Sequence, residues 1–168
     1  MFALTRDDIS PRLSRMASAA RNKLPVLRAM GTTFKSITEG TFNSVGAAYR
    51  PTPWPAKKDG SPSILQKSTT LAKSFHLAVT GEAATLSNPM PYAAIHQFGG
   101  RTPAHRIVPK RGKALKFGGK FYAAVNHPGS NIPPRPFFPV DASGHLTARA
   151  ENLIGRAGER ELAKQIGV

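Results

Sequence analysis

Apolar residues at Ile9, Leu13, Met16, Ala20, Leu24 and Leu27 follow one another at spacings of four, three, four, four and three. That rhythm places them on one face of a helix and predicts an amphipathic α-helix from Thr5 to about Phe34. Thr5 followed by Asp8 resembles a capping box with a short carboxylate, and Pro11 falls early enough in the helix to be tolerated. Pro25 lies too deep. A proline there removes a hydrogen bond and crowds the preceding turn, so a break or kink is expected near Lys23 and Leu24. The helical period resumes through Met30, Phe34, Ile37 and Phe42.

The pattern then stops. Residues 49–63, YRPTPWPAKKDGSPS, hold four prolines and one glycine and read as a loop. Trp54 stands between two of these prolines and is too large an apolar surface to leave in water, so it is expected to dock on the domain. A partner-binding aromatic is the other reading of that residue. From Ile64 the period shifts toward two. Phe75, Leu77 and Val79 alternate with Ser74, His76 and Ala78, Thr80-Gly81-Glu82 offers a turn, and Ala84 and Leu86 resume the alternation, which describes a hairpin. A second hairpin is predicted where residues 114–117 and 120–125 flank Gly118-Gly119, with Ile107 and Val108 starting the strand pair. Residues 131–141, NIPPRPFFPVD, are held extended by their prolines. Leu146, Ala150, Leu153, Ala157, Leu162 and Ile166 restore the helical period, with Asp141 or Ser143 as candidate cap and Gly155 and Gly158 weakening the middle.

The order is therefore an N-terminal helical segment (1–40), an antiparallel sheet core (41–141) containing the loop 49–63, and a C-terminal helix (142–168), all in one domain. The expected class is α+β, with an antiparallel sheet of about four strands and the last helix packed on it.

Composition narrows the function. The 24 Lys and Arg outnumber 9 Asp and Glu, giving a formal charge of +15 that favours an anionic partner: nucleic acid, an acidic protein surface or an anionic membrane. With no cysteine, disulfides and thiolate metal sites are excluded. The start, MFALTRDDIS, lacks the order of a secretion signal, and no apolar run approaches the roughly 20 residues of a membrane span. A soluble, intracellular product is expected.

PYAAIHQFGG, residues 91–100, is the stretch that most invites a chemical reading. In a short helix Tyr92, Ile95 and His96 share a face, and Gly99 and Gly100 stop the helix after Phe98. A general base would want an orienting carboxylate or a nucleophile to activate, yet Glu82 is the sole acid between Asp59 and Asp141. The five histidines show no close ligand spacing. Neither GGRTPAHR nor FGGKF has the pattern of a phosphate loop. No catalytic residue, metal or cofactor is expected, and His96 reads as a hydrogen-bonded corner residue. A small hydrolase using His96 or His127 is the enzymatic rival.

The strongest chemical signal is basic. Arg101, His105, Arg106, Lys110, Arg111, Lys113, Lys116 and Lys120 run without one acid, with Phe117, Phe121 and Tyr122 among them. Such a ribbon can lie along phosphates, or it can be the solvated face and edge protection of a strand pair with its aromatics turned inward.

YAAIHQFGG (92–100), followed after the basic insert by IPPRPFFPVD (132–141), resembles the paired signature of the tail-completion or virion-morphogenesis proteins of Mu-like and P2-like tailed phages. There a Tyr-Ala-x-x-His-Gln-Phe-Gly block precedes Ile-Pro-x-Arg-Pro-Phe. Phe42 to Pro55 with Trp54 is similar to that family's proline-bounded tryptophan segment, and ILQKSTTLAKSF (64–75) to its lead into the sheet. Residues 107–130 resemble elements of a related neck and tail-component family of siphophages. The likeness spans roughly residues 34–141. It departs from the family at RPTP before Trp54, where a glycine-rich run is usual, and at FFPVD.

The resemblance implies a non-enzymatic structural protein of the virion neck, acting where the filled head meets the tail as a ring of identical subunits. It would be made in the host cytoplasm and reside in the virion. Its partners would be copies of itself and other neck, head-completion and tail proteins, with no membrane. On this reading Trp54, Tyr92, His96, Gln97, Phe98 and Gly99 build a corner, and Arg135, Pro136 and Phe137 pin the chain before the last helix. Arg101, Arg106, Lys110, Arg111, Lys113, Lys116 and Lys120 would meet packaged DNA or an acidic protein surface. A sequence-nonspecific nucleic-acid-binding protein is the alternative.

Overall fold

The computed structural model describes residues 9–57, 60, 61, 65, 68–110 and 112–167. The expected Thr5–Asp8 cap, Ile64, Arg111 and parts of the loop 49–63 lie outside these residues.

Helix α1 spans Ile9–Arg21 and helix α2 spans Leu24–Gly40, with Pro25 in the first turn of α2. The break falls where the proline demands it. Its ring stops the earlier helix, and its missing N–H costs nothing at a helix start, where that group has no partner in any case. The apolar face predicted for α1 is not part of the core. Ile9, Leu13 and Met16 are 64%, 58% and 52% exposed, Ala20 is exposed, and Ala19 is the buried residue of this helix.

Helix α2 is the spine of the domain. One flank meets the hairpin β1 (His76–Val79) and β2 (Ala84–Ser87), and another meets the C-terminal helix α5 (Ala148–Ile166). Gly31 is the reason the hairpin comes so close, since a Cβ there would lie 2.9 Å from both Ala84 Cβ and Leu77 Cδ1. Gly158 does the same for the helix pair, for its Cβ would sit 2.9 Å from Met30 Sδ. A glycine that weakens the helix by propensity is thus held by tertiary packing. The C-terminal helix packs chiefly on α2, the helix that also carries the β1–β2 hairpin.

Two clusters form the core. Phe42, Leu71, Phe75, Ala93 and Phe137 make one, with Leu71 supplied by the short helix α3 (Thr70–Lys73). Ile37, Ala150 and Ile154 make the other, and the Phe34–Phe138 ring contact at 6.1 Å bridges the two. Phe42 and Phe137 stack at 5.5 Å and are essentially inaccessible, at 0% and 1% exposure.

The remaining strands are β3 (Gly100–Arg101), β4 (His105–Ile107), β5 (Leu115–Phe117), β6 (Lys120–Tyr122), β7 (Val125–His127) and β8 (Asn131–Ile132). The class is α+β, but the eight described strands form four two-stranded antiparallel ladders in place of one four-stranded sheet: β1–β2, β3–β8, β4–β7 and β5–β6. Strands this short satisfy one partner each.

Neither Asp141 nor Ser143 caps α5. Thr147 occupies the N-cap in extended conformation, while the Asp141 carboxylate accepts the backbone N–H groups of Ser143 at 2.8 Å and His145 at 2.9 Å. That turn closes with the Val140–Leu146 bridge. An Asp four residues before a histidine forms its own local loop as readily as a cap.

Candidate functional site

Two features stand apart from the ordinary core: a proline-rich corner and a projecting basic arm. The corner is built on helix α4 (Ala93–Phe98), which Gly99 ends at φ +72°. A Cβ on Gly99 would lie 2.9 Å from Pro134 Cδ and 3.0 Å from Ile132 O, so both conformation and space require glycine.

Segment 133–139 reads PPRPFFP and offers three backbone N–H groups, those of Arg135, Phe137 and Phe138. All three are taken by the last turn of α4. Arg135 donates to His96 O at 2.7 Å, and Gln97 Oε1 accepts from Phe137 N at 2.9 Å and Phe138 N at 3.0 Å. An extended proline-rich strand has no ladder partner for these donors, so a buried side-chain carbonyl stands in for one. The loop 49–63 closes the corner from outside. Trp54 Nε1 donates to Pro136 O at 2.8 Å, its ring meets Phe42 edge-on at 5.7 Å, and the Arg50 guanidinium lies 3.8 Å above it. Arg135 Nε reaches Pro55 O at 3.4 Å.

Of the nine residues assigned to the corner, Trp54, His96, Gln97, Gly99, Arg135, Pro136 and Phe137 therefore meet. Tyr92 joins only by its edge-on contact with the His96 ring at 6.1 Å, and Phe98, at 79% exposure, points away. His96 Nδ1 is buried with no hydrogen-bond partner, and desolvation, aided by the Arg135 charge, lowers the imidazole pKa. The ring is thus neutral at neutral pH. Among the described residues no carboxylate is hydrogen-bonded to Nδ1, and no group of three or more metal-ligating side chains exists.

The basic residues lie on the arm. The pairs Gly100–Ile132 and Arg101–Asn131, then His105–His127, Arg106–Asn126 and Ile107–Val125, share one register, joined by Thr102 N donating to Ser130 O at 2.9 Å. Each step out along one strand is matched by one step back along the other, so β3–β8 and β4–β7 are successive stretches of a single ribbon. Beyond Ile107 the register slips, because residues 108–114 oppose only 123 and 124 before Leu115 pairs with Tyr122. The ribbon ends at Gly118 and Gly119, both at positive φ, as a two-residue turn needs. None of the extensive contacts between elements joins β4–β7 or β5–β6 to a helix. The arm projects from the domain.

Arg101, Arg106, Lys110, Lys113, Lys116 and Lys120 are all exposed along it. The aromatics do not turn inward as an edge-protection hairpin would have them: Phe117, Phe121 and Tyr122 are 53%, 70% and 41% exposed. The His105–His127 pair, tilted rings 5.1 Å apart, was hidden in the sequence because it depends on the ladder register.

The family model of the phage virion morphogenesis family matches residues 5–156. That span includes α1, the corner, the arm and the first half of α5. Over 101 residues the chain is 31% identical to a Haemophilus influenzae protein described as Mu-like prophage FluMu G protein 2, covering 60% of this chain and 70% of that one. No solved structure matches. The match over nearly the whole described fold, with the His-Gln-Phe-Gly turn held against the Arg-Pro-Phe strand, shows that this chain belongs to the phage virion morphogenesis family.

Proposed function

We propose that this protein is a non-enzymatic building block of the phage neck, completing the tail and joining it to the DNA-filled head as a ring of identical subunits. The observation that carries this reading is the family match across residues 5–156. The geometry supports it. A corner in which all three backbone donors of the proline strand are used internally serves rigidity, and among the described residues His96 Nδ1 has no hydrogen-bond partner to orient or activate it. The exposed apolar side chains of α1 and the projecting arm lie at separate places on the surface, as a head-to-tail interface requires. The basic residues of the arm suit a position facing an anionic surface inside the particle.

The test is to abolish expression of the chain in the phage that encodes it and image the products. Heads and tails that accumulate unjoined, and join when the chain is supplied, are the expected result. Normal joined particles would refute the proposal. The nucleic-acid reading rests on the charge of +15. It predicts gel-shift affinity of the isolated protein for any duplex, falling steeply with salt; weak binding without that slope argues against it.

A further inference from the structure

The arm carries a groove. Ile107, Phe117, Tyr122, Ala124, Val125 and His127 line an open hollow of about 490 Å³ where the β5–β6 hairpin meets the β4–β7 ladder. This size is in the range of about 300–1,000 Å³ typical of ligand pockets. Strand alternation explains the lining. Tyr122 pairs with Leu115 and Phe117 with Lys120, so these four side chains share the groove-facing side of the hairpin, while Lys116 and Phe121 share the other. The groove is apolar inside, Lys120 lies on its side of the hairpin, and the arm around it is cationic: Arg106, Lys110, Lys113 and Lys116 are also exposed, and no Asp or Glu stands between Glu82 and Asp141.

We propose that this groove is a docking site for an acidic segment of another phage structural protein, anchored by an aromatic or aliphatic side chain seated against Phe117 and Tyr122. Charge selects the class of partner. A second copy of this chain carries the same excess of positive charge and is a poor match for a cationic rim. Duplex DNA offers phosphates to the rim but nothing to the apolar floor, since its bases are stacked within the helix and free bases are what aromatic platforms bind. An acidic peptide with an apolar anchor satisfies both halves at once: aromatic pockets supply the contact energy of protein interfaces, and complementary charge supplies rate and selectivity. The proposal rests on the assembly role above in one respect, that the partner is encoded by the phage.

The experiment places the photocrosslinker p-benzoylphenylalanine at Phe117 in the full chain, expressed in infected cells during assembly, with the same group at exposed Glu82 as control. Irradiation followed by mass spectrometry is expected to give an adduct from position 117, absent from position 82, with an Asp/Glu-rich segment of a different phage protein. Adding Lys120→Glu, on the groove side of the hairpin, should abolish the adduct, whereas Lys116→Glu, on the opposite side, should leave it, with the circular dichroism spectrum unchanged in both because both side chains are exposed. Adducts to DNA, to another copy of this chain or to a host protein would overturn the proposal, as would no adduct or one that survives Lys120→Glu. These outcomes are separate from failure of the neck reading, which is read from joined or unjoined particles.

Discussion

Gln97 shows how much one side chain can fix. Its Oε1 holds two adjacent N–H groups of a strand whose prolines deny it any ladder, and it does so at 7% exposure. Gln97→Ala leaves both donors unpaired, that of Phe137 buried and that of Phe138 half-buried, at about 1–3 kcal/mol each. A loss of about 2–4 kcal/mol in urea unfolding is expected, the lower part of the summed range allowing for water entering the gap; a loss under about 1 kcal/mol would contradict the role given to it. His96 makes a pH prediction. Unfolded, the imidazole takes its proton near pH 6.5, whereas burial and Arg135 delay that in the fold. The unfolded chain then binds more protons between the two values, so stability falls as pH drops from about 6.5 through the folded pKa and is unaffected above it. Asp141, lowered chiefly by the backbone N–H of His145, acts in a separate window, losing its contribution only as pH falls below the usual carboxylate range. Urea midpoints from pH 8 to 5 should decline for the natural chain and stay level for His96→Asn; equal slopes would remove His96 as the cause.

At the scale of elements, much was legible in the sequence. Pro25 marks the α1–α2 junction because its steric demand is local, and Gly118-Gly119 marks the hairpin tip for the same reason. What escaped depends on contacts between distant residues. The α1 stripe of Ile9, Leu13 and Met16 has the period of a core face, yet it faces outward, since period states that a face is apolar and not what covers it. The α5 cap was missed because Asp141 satisfied nearer N–H groups of its own turn. The ribbon through β3–β8 and β4–β7 could not be read as one unit, for its register is set by backbone pairing across the insert. The arm's independence is testable. Replacing residues 104–128 by Gly-Gly, with β3–β8 kept as its base, should leave the unfolding midpoint unchanged or slightly raised, since it removes no extensive contact with a helix and shortens a loop. A marked fall in the midpoint would show that the arm supports the core.

For the whole molecule, the fold separates rigidity from reach. Helices α2 and α5, the β1–β2 hairpin and the proline corner share two joined clusters, while α1 and the arm present apolar and basic surface beyond them. No described helix is long and apolar enough to cross a membrane. This arrangement suits a component that works by contact with neighbouring chains, and the family match places it in virion morphogenesis. The most direct measurement is where the chain resides in the finished particle. Gold-labelled antibody against this protein, applied to purified phage opened at the junction, is expected to mark the site where head meets tail. Label confined to the capsid shell or the distal tail, or particles carrying no label at all, would contradict the neck assignment.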